Sequence, residues 1–421
     1  MKKSIWSLSV AGALFISQAH AESWTSFRGP TGDGHVKGEK LPDSFKPGQE
    51  LWKQAIPGKG WSTPAVVAGK IFLTTAIPSG EGPMVNQSLE AMCLNGSDGK
   101  VVWKTPIFEQ KADTAPKIHG KNSHASPSPI WHENKIYVHF GHMGTACLDE
   151  QGKILWKIPG LYTKPVHGNG GSPILVDDML IFSCDGTDAQ KVVAIKTKDG
   201  SLVWSTDRQA SPTKPFSFST PELIEVNGQK MVISPASDMV GAYDPKTGKE
   251  IWRVKYKGYS VIPKPLFANG LVFISTSYDR PVLYAIKPDG KGDVTETHVA
   301  WKLEKNIPHT PSLIAEGPDL FMVADNGMAS CVEAATGKVH WGPERIDGAY
   351  SSSPVISDGK IYFQNEEGKT TVVKAARTFQ KIATSDMGER TLASFAVADG
   401  KLFVRTEKSL FAFSLKSLAS R

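Results

Sequence analysis

Cysteine is scarce in this sequence: four in 421 residues, no two of them adjacent. That is not the disulfide framework of a small secreted scaffold. Beyond the first 21 residues there is no apolar run long enough for a membrane span of about 20 residues. Lysine and arginine form no block or stripe, which argues against nucleic acid as a partner. Standard catalytic spacings are missing too. His119 and His124 are five apart, unlike the i,i+4 helical pair of a zinc protease. Gly32–His35 ("GDGH") resembles a phosphate loop only in its glycines, because no Gly-Lys-Ser/Thr follows. No Ser/His/Asp or Cys/His set can be assigned from the sequence.

At the start of the chain, Lys2 and Lys3 precede an apolar run from Ile5 to Ser17, and "AHA" (Ala19–Ala21) supplies small residues at a cleavage point. This predicts a secretory signal peptide over 1–21, cut before Glu22. No cysteine stands at the cut to take a lipid. The expectation is an exported chain, periplasmic or extracellular, with no membrane span. Without Lys2 and Lys3 the formal charge falls from +6 to +4.

What the sequence has in abundance is repetition. "AYDPKTGKEIW" (Ala242–Trp252) recurs as "AIKTKDGSLVW" (Ala194–Trp204), "CLNGSDGKVVW" (Cys93–Trp103) and "CVEAATGKVHW" (Cys331–Trp341). "CLDEQGKILW" (Cys147–Trp156) is one residue shorter, and Ala285–Trp301 carries the insertion "GKGDVTETH". Ahead of each frame, Ser/Thr-Pro opens an apolar run, a turn and an aromatic-rich run, as at Thr63, Ser126, Ser172, Thr220, Thr310 and Ser353. Weaker copies start at Pro263 and Ser394. Each unit therefore reads as four short strands, A to D, with Gly, Asp and Asn at the turns. Four-stranded units at a period of 40 to 50 residues mean a β-propeller.

The count is eight blades. The last, Thr391–Leu415, supplies only strands A to C. Its strand D is expected from Glu50–Ala55, so that both chain ends close the ring and no free sheet edge remains. The division is a signal peptide, an N-terminal segment (22–49) and a single propeller domain (50–421). Trp52, Trp103, Trp156, Trp204, Trp252, Trp301 and Trp341 take the docking position on strand D, where a large ring buries against the next blade. Unit 7 is degenerate, with Ala383 in the tryptophan's place. Cys93, Cys147 and Cys331 occupy the small-residue position of the frame and read as buried hydrophobes. Equivalent positions in blades about 10 Å apart cannot form disulfides.

The frame resembles the docking motif of the pyrrolo-quinoline quinone (PQQ) repeat over nearly the whole mature chain. It is similar to exported PQQ-binding-like propellers. Their opening motif appears here as "WTSFRGPTGDG" (Trp24–Gly34), with further signatures in "KNSHASP", "HGNGGSP" and "GYSVIPKP". The resemblance implies architecture, since one fold hosts many functions. Quinoprotein dehydrogenases of this fold bind PQQ and calcium with adjacent cysteines, which are missing here. PQQ and calcium thus stay open as cofactors without that support. The propeller lipoprotein of outer-membrane assembly carries a lipidated cysteine, which is also missing.

In a propeller the D–A and B–C connections share one face. Here the A–B and C–D turns are ordinary turn chemistry. The other face is not. Its D–A loops carry His119, Lys121, Asn122 and His124, then His167 and Asn169, Tyr259, His309, Tyr350, Glu389 and Arg390. Its B–C loops carry His142, Asp185 and Asp188, Asp238, Tyr278, Asp279 and Arg280, Asp325 and Asn326, Glu366 and Arg405. Loop chemistry concentrated on one side marks a binding face. Alternatives stay open for each residue. A histidine at a strand start either binds a ligand or ties two loops. Asp279 and Arg280 either form a salt bridge, with each other or across blades, or bind a ligand. Asp185 and Asp188 ("DGTD") either hold calcium or make a turn.

The reading is a non-catalytic binding or scaffold propeller, a monomer, taking a small polar ligand, a glycan or a protein partner at the loop face. The rival readings are a divergent quinoprotein-like oxidoreductase and a carbohydrate-active hydrolase or lyase using the same face.

Overall fold

The computed structural model describes residues 23–82, 85–276 and 278–415; the expected signal peptide lies outside them. The chain forms eight antiparallel sheets of four strands, one sheet gaining a short fifth strand. Blade 1 shows the pattern: strand A is Ala65–Val67, B Lys70–Pro78, C Gln87–Asn95 and D Val101–Gln110. Strand A is wholly buried near the axis, whereas strand D of blade 2 (Ile154–Pro159) alternates between half-buried and exposed at the rim. The ring closes through both chain ends. Trp52–Ala55 pairs with Ser409–Ser414 as strand D of blade 8, with Trp52 opposite Ala412.

The repeat frame is a docking device. In every frame the small residue on strand C faces the tryptophan on strand D, as in Ala194–Trp204, Ala242–Trp252, Cys93–Trp103 and Cys331–Trp341. Each indole N–H then donates to a carbonyl in the C–D turn of the next blade. Trp52 reaches Gly96, Trp103 reaches Glu150, Trp156 reaches Thr197 and Trp204 reaches Pro245, at 2.9 to 3.2 Å. Trp252, Trp301 and Trp341 do the same at Pro288, Ala334 and Ala376. The indole thereby buries its ring and satisfies its one donor. The turn glycine has a second duty besides its positive φ. A Cβ on Gly248 (φ +70°) would stand 2.5 Å from the Trp204 ring. All four cysteines are free and buried.

Two blade interfaces depart from the rule, each with a compensation. The insertion in blade 5 sends Gly292–Asp293 back to pair in parallel with strand D of blade 4. Trp252 is covered by it and falls to 0 % exposure. In blade 7 the size order is reversed: Val372 on strand C faces Ala383 on strand D. At this interface the N-terminal segment contributes Phe45. Its N–H donates to Ser385 of that same strand D, and its ring packs on Phe395 and Phe413 of blade 8.

The N-terminal segment is a structural part of the ring and not a tail. Trp24 pairs with Val66 in blade 1, Val36 donates to Ile356 in blade 7, and Tyr362 donates to the Leu41 carbonyl. Between these anchors it crosses the axis on the side of the A–B turns. There Arg28, 2 % exposed, donates to the carbonyls of Leu313 and Pro354. Lys264 donates to Gly32 of the same segment and pairs with Glu222.

The strand A starts differ from the sequence reading in two blades. The repeat equivalent in blade 2 is Ser128-Pro129, two residues after the expected Ser126-Pro127, and in blade 6 it is Ser312 in place of Thr310. Backbone N–H groups identify the series. Thr63 donates to the Ser128 hydroxyl, Ser128 to Ser172 and Ser172 to Thr220. Lys264 donates to Ser312, Ser312 to Ser353 and Ser353 to Ser394. The doubled "SPSP" offers two registers, and only the contact with the neighbouring blade selects one.

Candidate functional site: an axial cavity

On the face of the D–A and B–C loops a cavity of about 900 Å³ opens on the axis. The N-terminal segment closes its lower end, with Phe27 among the lining side chains. The ring of strand A hydroxyls also lines it. Above the ring, aromatic side chains run as a chain of edge and tilted contacts. His119 meets His167 at 5.9 Å, His167 meets Phe216 at 5.4 Å and Phe216 meets Tyr259 at 5.6 Å. The chain continues through Tyr278 to His309 at 6.3 and 5.8 Å. Such rings present flat apolar faces with polar edges.

One lysine spans the mouth. Lys121 comes from the D–A loop entering blade 2. Its Nζ lies 2.8 Å from Glu366 of blade 7 and 3.5 Å from Asp325 of blade 6, across the ring. Burial opposes its charge, but the two carboxylates prevail and its pKa is raised. The loop is also held by Arg390, whose Nη2 donates to the Gly120 carbonyl at 3.3 Å while the guanidinium lies 5.7 Å over Trp61. Asn122 fixes its base, donating to the His167 carbonyl and accepting from Ser126. Asp325 in turn organises blade 6, accepting the N–H groups of His309 and Thr310 and the Thr310 hydroxyl.

The candidate residues divide by what they touch. His119, Lys121, Asn122, His167, Tyr278, Asp279, His309 and Asp325 line the cavity. Asp279 does not pair with Arg280; it accepts the Tyr259 hydroxyl at 2.6 Å and lies 3.9 Å from Lys214. Arg280 is exposed and outside the cavity lining. His142 and Asn169 tie loops behind the wall. The imidazole meets Gln110 and Asn169, and the Asn169 amide also holds Tyr162 and the Phe140 carbonyl. His124 stands beside them, its pKa lowered to about 4 by burial and by His142. Tyr350 is fully buried in the core between blades 6 and 7, and Asn326 accepts the Met328 N–H within its turn.

The two weak metal candidates have other partners. Asp185 holds Arg208 through both carboxylate oxygens, at 2.8 and 3.0 Å, with both side chains at 0 % exposure. Asp188 accepts the Thr163 and Lys164 N–H groups and the Thr163 hydroxyl. Among the described residues no three His, Cys, Asp or Glu side chains are grouped to hold a metal ion. Sequence reasoning missed Trp61, Lys214, Phe216 and Phe218, all in the cavity wall. The alternation in "PFSFST" (Pro215–Thr220) was the available signal, since period two places both rings on one side.

These features define a closed eight-bladed propeller of tryptophan-docked repeats with an axial pocket on its variable face. Residues 44–217 and 117–342 match the family described as "Outer membrane protein assembly factor BamB", and the chain belongs to this family of PQQ-like repeat propellers. It is 24% identical over 267 residues to a tetrathionate hydrolase of Acidithiobacillus ferrooxidans, covering 60% of this chain and 48% of that protein. It is 23% identical over 148 residues to the outer membrane protein assembly factor BamB of Alkalilimnicola ehrlichii, covering 34% of this chain and 37% of that one. The chain thus spans about half the length of the first and little over a third of the second. Among solved structures it is similar to BamB from Moraxella catarrhalis, with a TM-score of 0.58 at 12% identity, covering 87% of this chain and 99% of that one. The computationally designed Ika8 protein gives 0.60 at 12% identity with the same coverage. Both likenesses concern the fold. No helix among the described residues is long and apolar enough to cross a membrane.

Proposed function

We propose that this protein is an exported binding propeller that takes a small polar ligand with a flat face in its axial cavity. The observation that carries the reading is the cavity itself. It measures about 900 Å³, is closed below by the chain's own N-terminal segment and is bordered by an arc of aromatic rings. Cavities of roughly 300–1,000 Å³ with apolar walls and a few placed polar groups are the usual size for small ligands. The fold supplies rigidity: docked blades hold the loops, and the loops hold the rings.

Calorimetric titration with a panel of sugars, aromatic acids and PQQ with calcium tests this. A ligand that binds should lose affinity in Phe216→Leu and Lys121→Met while the melting temperature stays nearly constant. Binding that survives both substitutions would place the ligand elsewhere. A second reading is a scaffold for protein partners, favoured by the family's description as an assembly factor. It requires a partner whose binding is indifferent to cavity substitutions. Hydrolysis is raised by the relative named tetrathionate hydrolase. Consumption of tetrathionate by the purified protein would support it.

A further inference from the structure

Most of the floor of the axial cavity is an arc of hydroxyl groups of one polarity, interrupted at Lys264 and at Ser353, whose hydroxyl donates to Ser312. Ser128, Ser172, Thr220 and Ser394 each accept a backbone N–H from the preceding blade. Among the described residues none of the four hydroxyls has an acceptor for its own proton. Thr63, 1 % exposed and also lining the cavity, makes no hydrogen bond through its hydroxyl among the described residues. A hydroxyl that already accepts an N–H is polarised to donate onward. The ring therefore presents donors to the cavity and few acceptors.

Two buried guanidinium groups stand behind it. Arg405 is 2 % exposed and donates to the carbonyls of Ser62 and Thr74 and to the Ser62 hydroxyl. Arg28, equally buried, donates to Leu313 and Pro354. Ser62, Leu313 and Pro354 are the chain neighbours of Thr63, Ser312 and Ser353 in the ring. Among the described residues no carboxylate hydrogen-bonds either guanidinium; burial lowers Arg405 to about 9 and, against the attraction of the Asp33 carboxylate, Arg28 to about 10. A buried cation without a hydrogen-bonded counterion is costly, most of all at Arg405, on which no carboxylate acts. The nearby carboxylates are engaged elsewhere. Asp33 is held by His35 and Thr31, Glu222 by Lys264, Asp279 by Tyr259, and Asp325 by Thr310 and Lys121.

We infer that the floor of the axial cavity is an oxyanion subsite, where the strand A hydroxyls donate to a carboxylate or sulfur oxyanion and Arg28 and Arg405 supply the compensating charge from behind. The inference rests on the cavity being the binding site and names the chemical class of the ligand's charged end. The aromatic arc then faces the remainder of that ligand.

The test is calorimetric titration of the full mature chain with sulfate, succinate and glucose at constant ionic strength. Sulfate or succinate should bind and glucose alone should not. Thr63→Val is isosteric and removes a hydroxyl with no partner among the described residues, so the fold should be unchanged. Losing one hydrogen bond to an anion should weaken binding about tenfold or more. Ser394→Ala should act in the same direction. Anion affinity lost in Lys214→Met but kept in Thr63→Val would place the anion at the rim and overturn the inference. Glucose binding that is sensitive to Phe216→Leu, with no heat from either anion, would also overturn it while leaving the cavity as the binding site. Anion binding indifferent to every cavity substitution would overturn both.

Discussion

The rim and the axis of this propeller obey opposite rules. At the rim the same contact is made seven times: a tryptophan opposite a small residue, its N–H on a carbonyl of the next blade. At the axial loop face the blades present different sets of side chains, although blades 2, 3 and 6 each contribute a histidine. Blade 2 sends a lysine across the mouth, blades 3 to 5 supply rings, and blade 6 an aspartate that holds its own loop. Repetition at the rim gives the loops a rigid platform, and the loops are then free to diverge. Substitutions should therefore act on stability at the rim and on binding at the axis.

The largest effect is expected at the best-covered docking site. Trp252→Ala removes a ring at 0 % exposure and should cost about 4 kcal/mol, read as a lowered denaturant midpoint. Trp103→Ala, at a half-buried ring, should cost clearly less. Equal losses would mean that the blade 5 insertion adds nothing to the docking of Trp252.

Next comes the turn glycine. Gly248→Ala combines a φ of +70° with a Cβ 2.5 Å from the Trp204 ring, and should cost about 2 to 3 kcal/mol. Gly228, in an A–B turn, has φ +77° and open space around it. Gly228→Ala should cost only about 1 kcal/mol, the backbone share alone. The difference between the two variants measures the docking contact separately from the turn.

The same contrast explains what the sequence discloses. The docking frame lies within eleven residues, so blade count, closing strand and tryptophan positions were legible. The sharing of one face by the D–A and B–C loops was legible for the same reason, which is why Lys121, His167 and Asp325, all in the cavity lining, were among the candidates. The plug was not. Arg28 meets partners 285 and 326 residues away, and nothing in "WTSFRGPTGDG" has a period that announces them. Nor was it legible that His142 and Asn169 face each other and the wall behind, since two loops sharing a face still divide between cavity and core. Asp185 was invisible as an ion-pair partner because Arg208 lies 23 residues on, at the end of another strand.

Acid should act on the core beside the axial face before it touches the rim. His139 is 4 % exposed, bonded to Thr145 and packed 4.5 Å from Phe182, and burial lowers its pKa to about 3. The folded value lies below the unfolded one, so between about 6.5 and 3 the unfolded chain binds the extra proton. Stability from this group is complete above pH 6.5 and is lost as pH falls, by up to about 1.4 kcal/mol per unit. His124 and His142, both lowered by burial, add in the same direction. Denaturant midpoints measured from pH 7 to pH 5 should decline, and His139→Gln should flatten the decline. A flat wild-type profile would mean that this histidine is hydrated and charged.

The smallest effect on stability is expected at Lys121, and there the comparison is sharpest. Its pairs with Glu366 and Asp325 keep the lysine about a third exposed at the cavity mouth, and ion pairs in contact with solvent contribute about 0–1 kcal/mol. Lys121→Met keeps the stem and removes the charge, so the melting temperature should move by no more than a degree or two. Yet the lysine bridges loops of blades 2, 6 and 7 over the cavity mouth, so ligand access and affinity should change. Hydrogen exchange at residues 117–124 should rise in the variant while exchange in the docking strands stays fixed. A fall in stability as large as that of a docking variant would mean that the bridge closes the ring itself, and the division between a structural rim and a functional axis would fail.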